Sequence, residues 1–284
     1  MLISIENIKQ LCNSFGIRPS REMGQHFLLD TNVVSRALTA AGVGSKDTVV
    51  EVGPGLGVLT EQLVEQAKRV IAIELDPRML TLLRSKFAGV KNLELVSADA
   101  LSFNPGALGL TEYKVVANIP YQITSRLLRS MLTSPTPPTS MTLLVQKEVA
   151  ERMSAPGGRK SLLSLLVQLH GQPERITIVP AESFWPSPKV DSALIHISGI
   201  KSQEQLAQSF KNLELKEFWQ TAKIGFSARR KQLKNNLQNG LHLPQEQVAE
   251  ALAAVGLEPS VRAQELEVGE WIELAKRVKK YRSK

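Results

Sequence analysis

The amino-acid sequence predicts an α/β protein with a doubly wound, largely parallel sheet, followed by a small, all-helical domain at the C-terminal end. Short apolar runs alternate with helix-like segments from about residue 47 to 197, as in successive βαβ units. Glycines cluster at the first strand-to-helix turn. From about residue 203 onward the periodicity is only helical. The helical region is broken at Gly240, Pro244, Gly256 and Pro259.

The elements of the sheet follow from the length and composition of the apolar runs. Runs of four to six residues, rich in valine, isoleucine and leucine, are typical of strands buried on both faces. They predict strands at 48–52, 70–75, 93–96, 114–117 and 142–145. Apolar residues at 3.6-residue spacing predict helices at 57–66, 77–87 and 123–132. We expect residues 1–200 to form the first domain and 201–284 the second.

Composition restricts the class of protein. With 284 residues, 43% of them hydrophobic, the chain can bury a full core. Cys12 is the only cysteine, so no internal disulfide can form, and the four histidines offer no ligand pair at metal spacing. No apolar run approaches a membrane span, and the first residues lack the pattern of a secretory signal. We therefore expect a monomeric, cytoplasmic protein without a metal.

Positive charge is concentrated in the last third of the chain. Lysine and arginine number 35 against 27 acids, a formal net charge of +8. Two segments hold much of the excess: "FSARRKQLKNN", which contains no acid, and the terminal "KRVKKYRSK". The candidate RNA-binding cations are Arg229, Arg230, Lys231 and Lys234. Such clusters favour a polyanionic partner, although a solvated basic surface is the alternative.

A ligand site is predicted where three strands end. Gly53 and Gly55 follow the first strand, Glu74 ends the second, and Asp99 follows the third. The carboxyl ends of parallel strands form the crevice in which such sheets bind ligands. Glu74 could accept hydrogen bonds from a ribose diol, and Asp99 could accept one from an adenine amino group. The turn reads G-P-G-L-G rather than the G-x-G-x-x-G of dinucleotide enzymes, and its spacing resembles that of S-adenosylmethionine-dependent methyltransferases. An α/β domain without a ligand is the alternative.

The fourth strand ends in the tetrapeptide NIPY at the same edge. The side-chain oxygen of Asn118 and the carbonyl of Pro120 could accept the two hydrogens of an exocyclic amine and aim its lone pair at a methyl group. Proline would hold that carbonyl in place, and Tyr121 offers a face on which a base can stack. A plain strand-to-helix turn with a buried tyrosine is the alternative.

Taken with the glycine turn, NIPY resembles the motif of the ribosomal RNA adenine N6-dimethyltransferases of the KsgA type. "GQHFLLD" at 24–30 is similar to the family's GQNFL segment, in which His26 replaces a common asparagine. "SFWPSPKVDSALI" at 183–195 is similar to F-x-P-x-P-K-V-x-S, and "FSARRK" to a basic block of the helical domain. The resemblance covers nearly the whole chain.

The resemblance implies the substrate and the remaining site residues. It implies an S-adenosylmethionine-dependent enzyme that dimethylates two adjacent adenosines near the 3′ end of small-subunit ribosomal RNA. Gln25, His26 and Leu28 would close over the cofactor, together with Asn118, and Phe184 would place its ring against the target base. Two alternatives stay open: an antibiotic-resistance dimethylase of large-subunit ribosomal RNA, and an assembly factor that binds RNA without catalysis.

Overall fold

The structure is a computed structural model of the chain and describes residues 3–20, 24–155, 160–211 and 213–282. The chain folds into two structural units. Unit 1 consists of Met1–Glu151 and Gly171–Ile200, and unit 2 of Arg152–His170 and Lys201–Lys284. The predicted domain boundary at residue 200 differs from this division in one respect, because residues 152–170 belong with the helical unit.

Unit 1 contains the sheet. Its strands are β1 (Phe27–Leu28), β2 (Thr48–Val52), β3 (Arg69–Glu74), β4 (Leu93–Ser97), β5 (Lys114–Asn118), β6 (Ser140–Gln146), β7 (Gln172–Val179), β8 (Phe184–Trp185) and β9 (Ser192–Ser198). Its helices are α1 (Ile5–Ser14), α2 (Thr31–Ala41), α3 (Val58–Gln66), α4 (Pro77–Lys86) and α5 (Thr124–Leu132), followed by α6 (Lys147–Ser154), which crosses the division between the units.

The main sheet has seven strands in the order β4-β3-β2-β5-β6-β9-β7. The first five of these pair in parallel, and β9 runs antiparallel to both β6 and β7. The predicted doubly wound, largely parallel sheet is therefore confirmed. A separate two-stranded sheet joins β1 to β8, with Leu28 opposite Phe184. The sequence pattern did not predict this sheet, and it predicted no strand at the positions of β7 and β9.

The glycine turn between β2 and α3 determines how closely the start of α3 packs on its neighbours. Gly53, Gly55 and Gly57 have φ values of +68°, +56° and +76°, a region that side chains with a Cβ rarely adopt. A Cβ at Gly57 would lie 2.7 Å from the Phe87 ring. A Cβ at Gly53 would have no heavy atom nearer than 3.9 Å. Gly57 thus permits close packing on Phe87, directly after α4, whereas at Gly53 an added Cβ would make only ordinary contacts with Asn118 and Pro120, so its positive φ is the main constraint.

In the described part of unit 2, the regular secondary structure consists of helices joined by loops. Its helices are α7 (Leu162–His170), α8 (Gln203–Phe210), α9 (Leu215–Gly225), α10 (Leu233–Leu241), α11 (Gln245–Ala253) and α12 (Val268–Arg282). Leu165 and Leu169 of α7 pack in one apolar cluster with Phe218 of α9 and Trp271 of α12. This packing explains why α7 belongs to unit 2 despite its position before β7 in the sequence.

Candidate active site

A cavity of about 380 Å³ opens at the carboxyl ends of the parallel strands. Every residue predicted from sequence to bind the cofactor lines it, as do the three residues predicted from NIPY. These lining residues are Gln25, His26, Leu28, Gly53, Gly55, Glu74, Asp99, Asn118, Pro120 and Tyr121. The structure therefore brings together residues from the glycine turn, the predicted acidic strand ends and the segment before β1.

Backbone amides hold the carboxylate of Glu74 in this cavity. Its Oε1 accepts hydrogen bonds from the amides of Leu75 and Asp76 at 2.8 and 2.9 Å, and its Oε2 accepts one from Gly55 at 3.3 Å. Burial raises the pKa of Glu74 above its usual range, and the three amide hydrogen bonds oppose this rise. The single long bond to Oε2 leaves that oxygen with capacity to accept hydrogen bonds from a ligand hydroxyl.

The wall beyond Glu74 combines an apolar side chain with a second carboxylate. Leu75 is 57% exposed, an unusual state for a large apolar residue directly after a buried strand. Asp99 is exposed, and its Oδ1 accepts a hydrogen bond from the amide of Leu101 at 2.9 Å. An apolar surface between two hydrogen-bond acceptors suits a nucleoside, in which a flat base is joined to a diol. These residues fit the adenosine portion of S-adenosylmethionine.

Glu51 is a cavity residue that the sequence pattern did not single out. It lies in β2 within an apolar run, and only 1% of its surface is exposed. Its Oε2 accepts a hydrogen bond from the Thr60 hydroxyl at 2.7 Å. Burial raises the pKa of Glu51 to about 8, while the Thr60 hydrogen bond opposes the rise and the nearby Glu74 adds to it. A pKa in this range favours the protonated, neutral form of Glu51 at pH 7. The sequence did contain a signal for Glu51, since a glutamate stands inside a strand otherwise made of valine and threonine.

The segment before β1 contacts both the acids near the end of β3 and the NIPY tetrapeptide. Gln25 donates from Nε2 to Asp76 Oδ2 at 3.5 Å, close to the acids that follow β3. His26 Nδ1 lies 2.6 Å from the carbonyl oxygen of Pro186, so this nitrogen carries the proton and donates. The imidazole also stacks on Tyr121, with ring centroids 5.8 Å apart and planes 23° apart. His26 thus contributes to the site a ring that contacts NIPY.

Hydrogen bonds fix the orientation of the NIPY side chains. Asn118 Nδ2 donates to the carbonyl oxygen of His26 at 3.0 Å, which leaves Oδ1 as the acceptor of this amide. The carbonyl of Pro120 accepts the amide of Ile123 at 3.2 Å and keeps a second lone pair. The Tyr121 hydroxyl lies 2.6 Å from Ser192 Oγ. Burial raises the pKa of Tyr121, so the phenol stays protonated.

Phe184 is not among the residues that line the cavity. Its side chain is 3% exposed and packs in an apolar cluster with Leu28, Val33 and Leu194, which do line the cavity. The pairing of β8 with β1 directs Phe184 inward, one layer behind the cavity wall. The ring that is parallel to Tyr121 in this structure belongs to His26. Contact between Phe184 and a base therefore stays a prediction.

The predicted RNA-binding cations lie in unit 2. Arg229, Arg230 and Lys231 are exposed in the loop before α10, and Lys234 is partly exposed in its first turn. In the other basic segment Lys276 pairs with Glu273 at 2.7 Å, and Lys279 pairs with Glu217 at 2.9 Å. Residues 283–284 of that segment lie outside the described residues. The two basic segments thus differ, since nearby acids partly neutralise the second.

The described part of the chain offers neither a metal site nor a membrane-spanning helix. Across residues 3–20, 24–155, 160–211 and 213–282, no group of three or more His, Cys, Asp or Glu is placed to hold a metal ion. The helices of this part include none with the length and apolar character that crossing a membrane requires.

Comparison with known proteins gives the family. A model described as ribosomal RNA adenine dimethylase matches residues 18–280. The chain belongs to this family. Ribosomal RNA small subunit methyltransferase A of Dehalococcoides mccartyi is 40% identical over 265 residues, which cover 93% of this chain and 89% of that one. The protein of the same name from Geobacillus thermodenitrificans is 34% identical over 278 residues, with 94% and 93% covered.

Solved structures agree with this assignment. A dimethyladenosine transferase from Plasmodium falciparum superposes with a TM-score of 0.76 at 26% identity, covering 90% of this chain and 98% of that one. The 23S rRNA methyltransferase ErmE superposes with a TM-score of 0.72 at 28% identity, covering 89% and 99%. The resemblance derived from the motifs and the methyltransferase fold are both confirmed. This ribosomal RNA adenine dimethylase is accordingly an rRNA methyltransferase.

Proposed function

We propose that this dimethylase transfers methyl groups from S-adenosylmethionine to N6 of two adjacent adenosines near the 3′ end of small-subunit (16S) ribosomal RNA, giving N6,N6-dimethyladenosine. The observation that carries the proposal is the single cavity that contains both Glu74, with its capacity for a ribose, and Asn118, with its oriented amide oxygen. The names of the small-subunit relatives support the choice of RNA. A role in small-subunit biogenesis follows from the substrate.

The residues of the site explain how an unreactive amino group can be oriented for methyl transfer. S-adenosylmethionine, when bound, supplies a methyl group on a positively charged sulfur. An adenine amino group is a poor nucleophile because its lone pair is delocalised into the ring. Asn118 Oδ1 and the free lone pair of the Pro120 carbonyl can accept the two amino hydrogens and draw the nitrogen toward a tetrahedral shape.

The neighbouring rings would hold the base in place. Tyr121 stacks on His26 and is fixed at its hydroxyl by Ser192, so its ring is oriented before a base arrives. The target base must leave its stack in the RNA to reach residues that line a cavity. Each transfer also releases one amino proton to solvent, so a single hydrogen remains on the nitrogen after the first transfer. Either Asn118 or Pro120 is therefore dispensable in the second round.

The experiment that tests this function separates the two ribosomal subunits. The protein is incubated with radiolabelled S-adenosylmethionine and undermethylated small or large ribosomal subunits, and the labelled nucleotides are mapped. We expect label in small-subunit RNA, on two adjacent adenosines. Label in large-subunit RNA alone would identify the activity of ErmE-like enzymes. RNA binding without label would identify a factor that only assists assembly.

A further inference from the structure

The basic loop comprises residues 226–232, between α9 and α10, and presents three exposed cations. Arg229, Arg230 and Lys231 are all exposed, and within the described residues no carboxylate pairs with any of them. The loop contains no acidic residue. Three unpaired cations on adjacent positions form a suitable contact for RNA phosphates.

Both ends of the basic loop are anchored in the core of unit 2. At its start, Phe226 stacks on Trp271 with ring centroids 5.4 Å apart, and a Cβ on the preceding Gly225 would collide with the Trp271 ring. At its end, Leu233 is fully buried, and its amide donates to the carbonyl of Val261 at 2.8 Å. The ends of the loop are therefore fixed, while its cations point to solvent.

A buried amide holds the middle of the loop. Asn236 of α10 is 5% exposed. Its Nδ2 donates to the carbonyl of Gly225 at 2.6 Å and to the carbonyl of Ala228 at 3.1 Å. Both hydrogens of the amide are thus used. Gly225 ends α9, and Ala228 directly precedes Arg229, so one side chain connects the end of a helix to the residue before the cations.

We propose that Asn236 is a positioning residue for RNA binding, which holds the basic loop in the conformation that presents Arg229, Arg230 and Lys231 to phosphates. This inference rests on the proposed binding of ribosomal RNA by this loop. A loop that is ordered before binding loses less conformational freedom when it meets its ligand. Without Asn236, the carbonyl of Gly225 loses this donor, and the carbonyl of Ala228 keeps only the amide of Lys231, at 3.0 Å. The tie between the end of α9 and the residue before the cations is then lost.

The test compares Asn236→Leu with Asn239→Ala. Leucine has a similar shape to asparagine but donates no hydrogen bond, and Asn239 is an exposed asparagine of the same helix. Affinity for an unmodified small-subunit ribosomal RNA transcript is measured over a series of salt concentrations. We expect Asn236→Leu to weaken binding about tenfold, on the order of the cost of ordering one or two interface side chains, and Asn239→Ala to leave binding unchanged.

Limited digestion with trypsin gives a readout that does not depend on RNA. Trypsin cleaves after arginine and lysine, so a released loop is cut faster after Arg229, Arg230 or Lys231. We expect faster cleavage at these sites in Asn236→Leu, with the melting of unit 2 still cooperative. If leucine abolishes cooperative melting, Asn236→Ser, which keeps one hydroxyl donor, must recover both melting and at least part of the RNA affinity.

A third variant separates positioning from a general loss of structure. When Arg229, Arg230 and Lys231 are all changed to glutamine, adding Asn236→Leu should cause little further loss of RNA affinity, because the cations that it positions are gone. An equal loss in both backgrounds, or wild-type RNA affinity in Asn236→Leu, overturns the inference. Wild-type affinity in the glutamine variant instead overturns the proposed RNA-binding role of the loop.

Discussion

The side-chain amide nitrogen of Asn118 donates a 3.0 Å hydrogen bond to the backbone carbonyl of His26. A carbonyl cannot donate, so this contact determines which end of the Asn118 amide is nitrogen and which is oxygen. The acceptor oxygen is therefore selected before any substrate binds. The residue that makes the selection comes from a segment 92 positions earlier in the chain.

The first prediction concerns this oxygen. Asn118→Ala should lower the single-turnover methylation rate by about a hundredfold to a thousandfold, because one preorganised hydrogen-bonding group typically contributes about 2.7–4 kcal/mol to lowering a barrier. Affinities for cofactor and RNA should change much less, since most binding contacts lie elsewhere. Single-turnover kinetics at saturating RNA and cofactor measure the effect. Near-normal methylation would show that NIPY is only a structural turn.

The second prediction concerns Tyr121, whose ring and hydroxyl have separate contacts. Tyr121→Phe keeps the ring against His26 and loses only the contact with Ser192, so most activity should remain. Tyr121→Ala removes the stacking face, which is worth about 1–3 kcal/mol per base in single-strand sites, and should weaken both base placement and turnover. The same single-turnover assay compares the two variants. Equal losses would mean that the hydroxyl, rather than the ring, is important.

The third prediction concerns the ribose acceptor. Glu74→Ala should weaken S-adenosylmethionine binding, because hydrogen bonds to a charged group contribute roughly 1.5–3 kcal/mol. Calorimetry measures the affinity. Glu94→Ala on the neighbouring strand β4 is the control, since Glu94 pairs with Arg69 and does not line the cavity. Unchanged affinity in a folded Glu74→Ala protein would show that the ribose binds elsewhere.

The fourth prediction is a dependence of stability on pH that arises from Glu51. The folded-state pKa is about 8 and the ordinary value is 4.5, so between these values the folded protein retains a proton that the unfolded chain releases. Raising the pH through this window therefore lowers the free energy of unfolding, and the loss is complete once pH exceeds about 8. Glu51→Gln should remove this loss.

Chemical unfolding of both proteins at several pH values measures the effect of Glu51. The free energy of unfolding of Glu51→Gln relative to wild type should rise between pH 5 and pH 8 by a few kcal/mol, on the order of 2–5. The charged neighbours Glu74 and Lys86 are present in both proteins, so the part of their titration that is independent of Glu51 cancels in the difference. Parallel stability curves would contradict a neutral Glu51.

The fifth prediction separates backbone strain from collision at the glycine turn. Gly57→Ala places a Cβ 2.7 Å from the Phe87 ring at a φ of +76°, and overpacking of this kind costs about 1–3 kcal/mol beyond the strain of the backbone. Gly89→Ala is the control, because Gly89 has a φ of +86° but no atom within 4 Å of an added Cβ. Thermal unfolding should show a larger loss for Gly57→Ala. Equal losses of stability in the two variants would mean that backbone strain alone, without the collision, accounts for the effect.

The sequence revealed cavity residues at the ends of strands more readily than those inside a strand or dependent on distant strand pairing. Glu74 and Asp99 were found because the ends of parallel strands meet at one edge of a sheet, and strands are visible as apolar runs. Glu51 was missed because it lies inside such a run. The burial of Phe184 depends on pairing of β8 with β1, which are more than 150 residues apart in the chain, and no local pattern encodes that pairing.

The reversed direction of β9 has a consequence for how this fold can diversify. Because β9 is antiparallel to β6, Ser192 at its amino end lies opposite Gln146 at the carboxyl end of β6, next to the cavity. The stretch between β8 and β9 is thereby returned to the carboxyl edge of the sheet, where β8 pairs with β1. Because His26 Nδ1 donates to the carbonyl of Pro186, this stretch and the segment before β1 are held together at that edge. A change in either stretch must therefore be accommodated by the other, although they lie more than 150 residues apart in the chain.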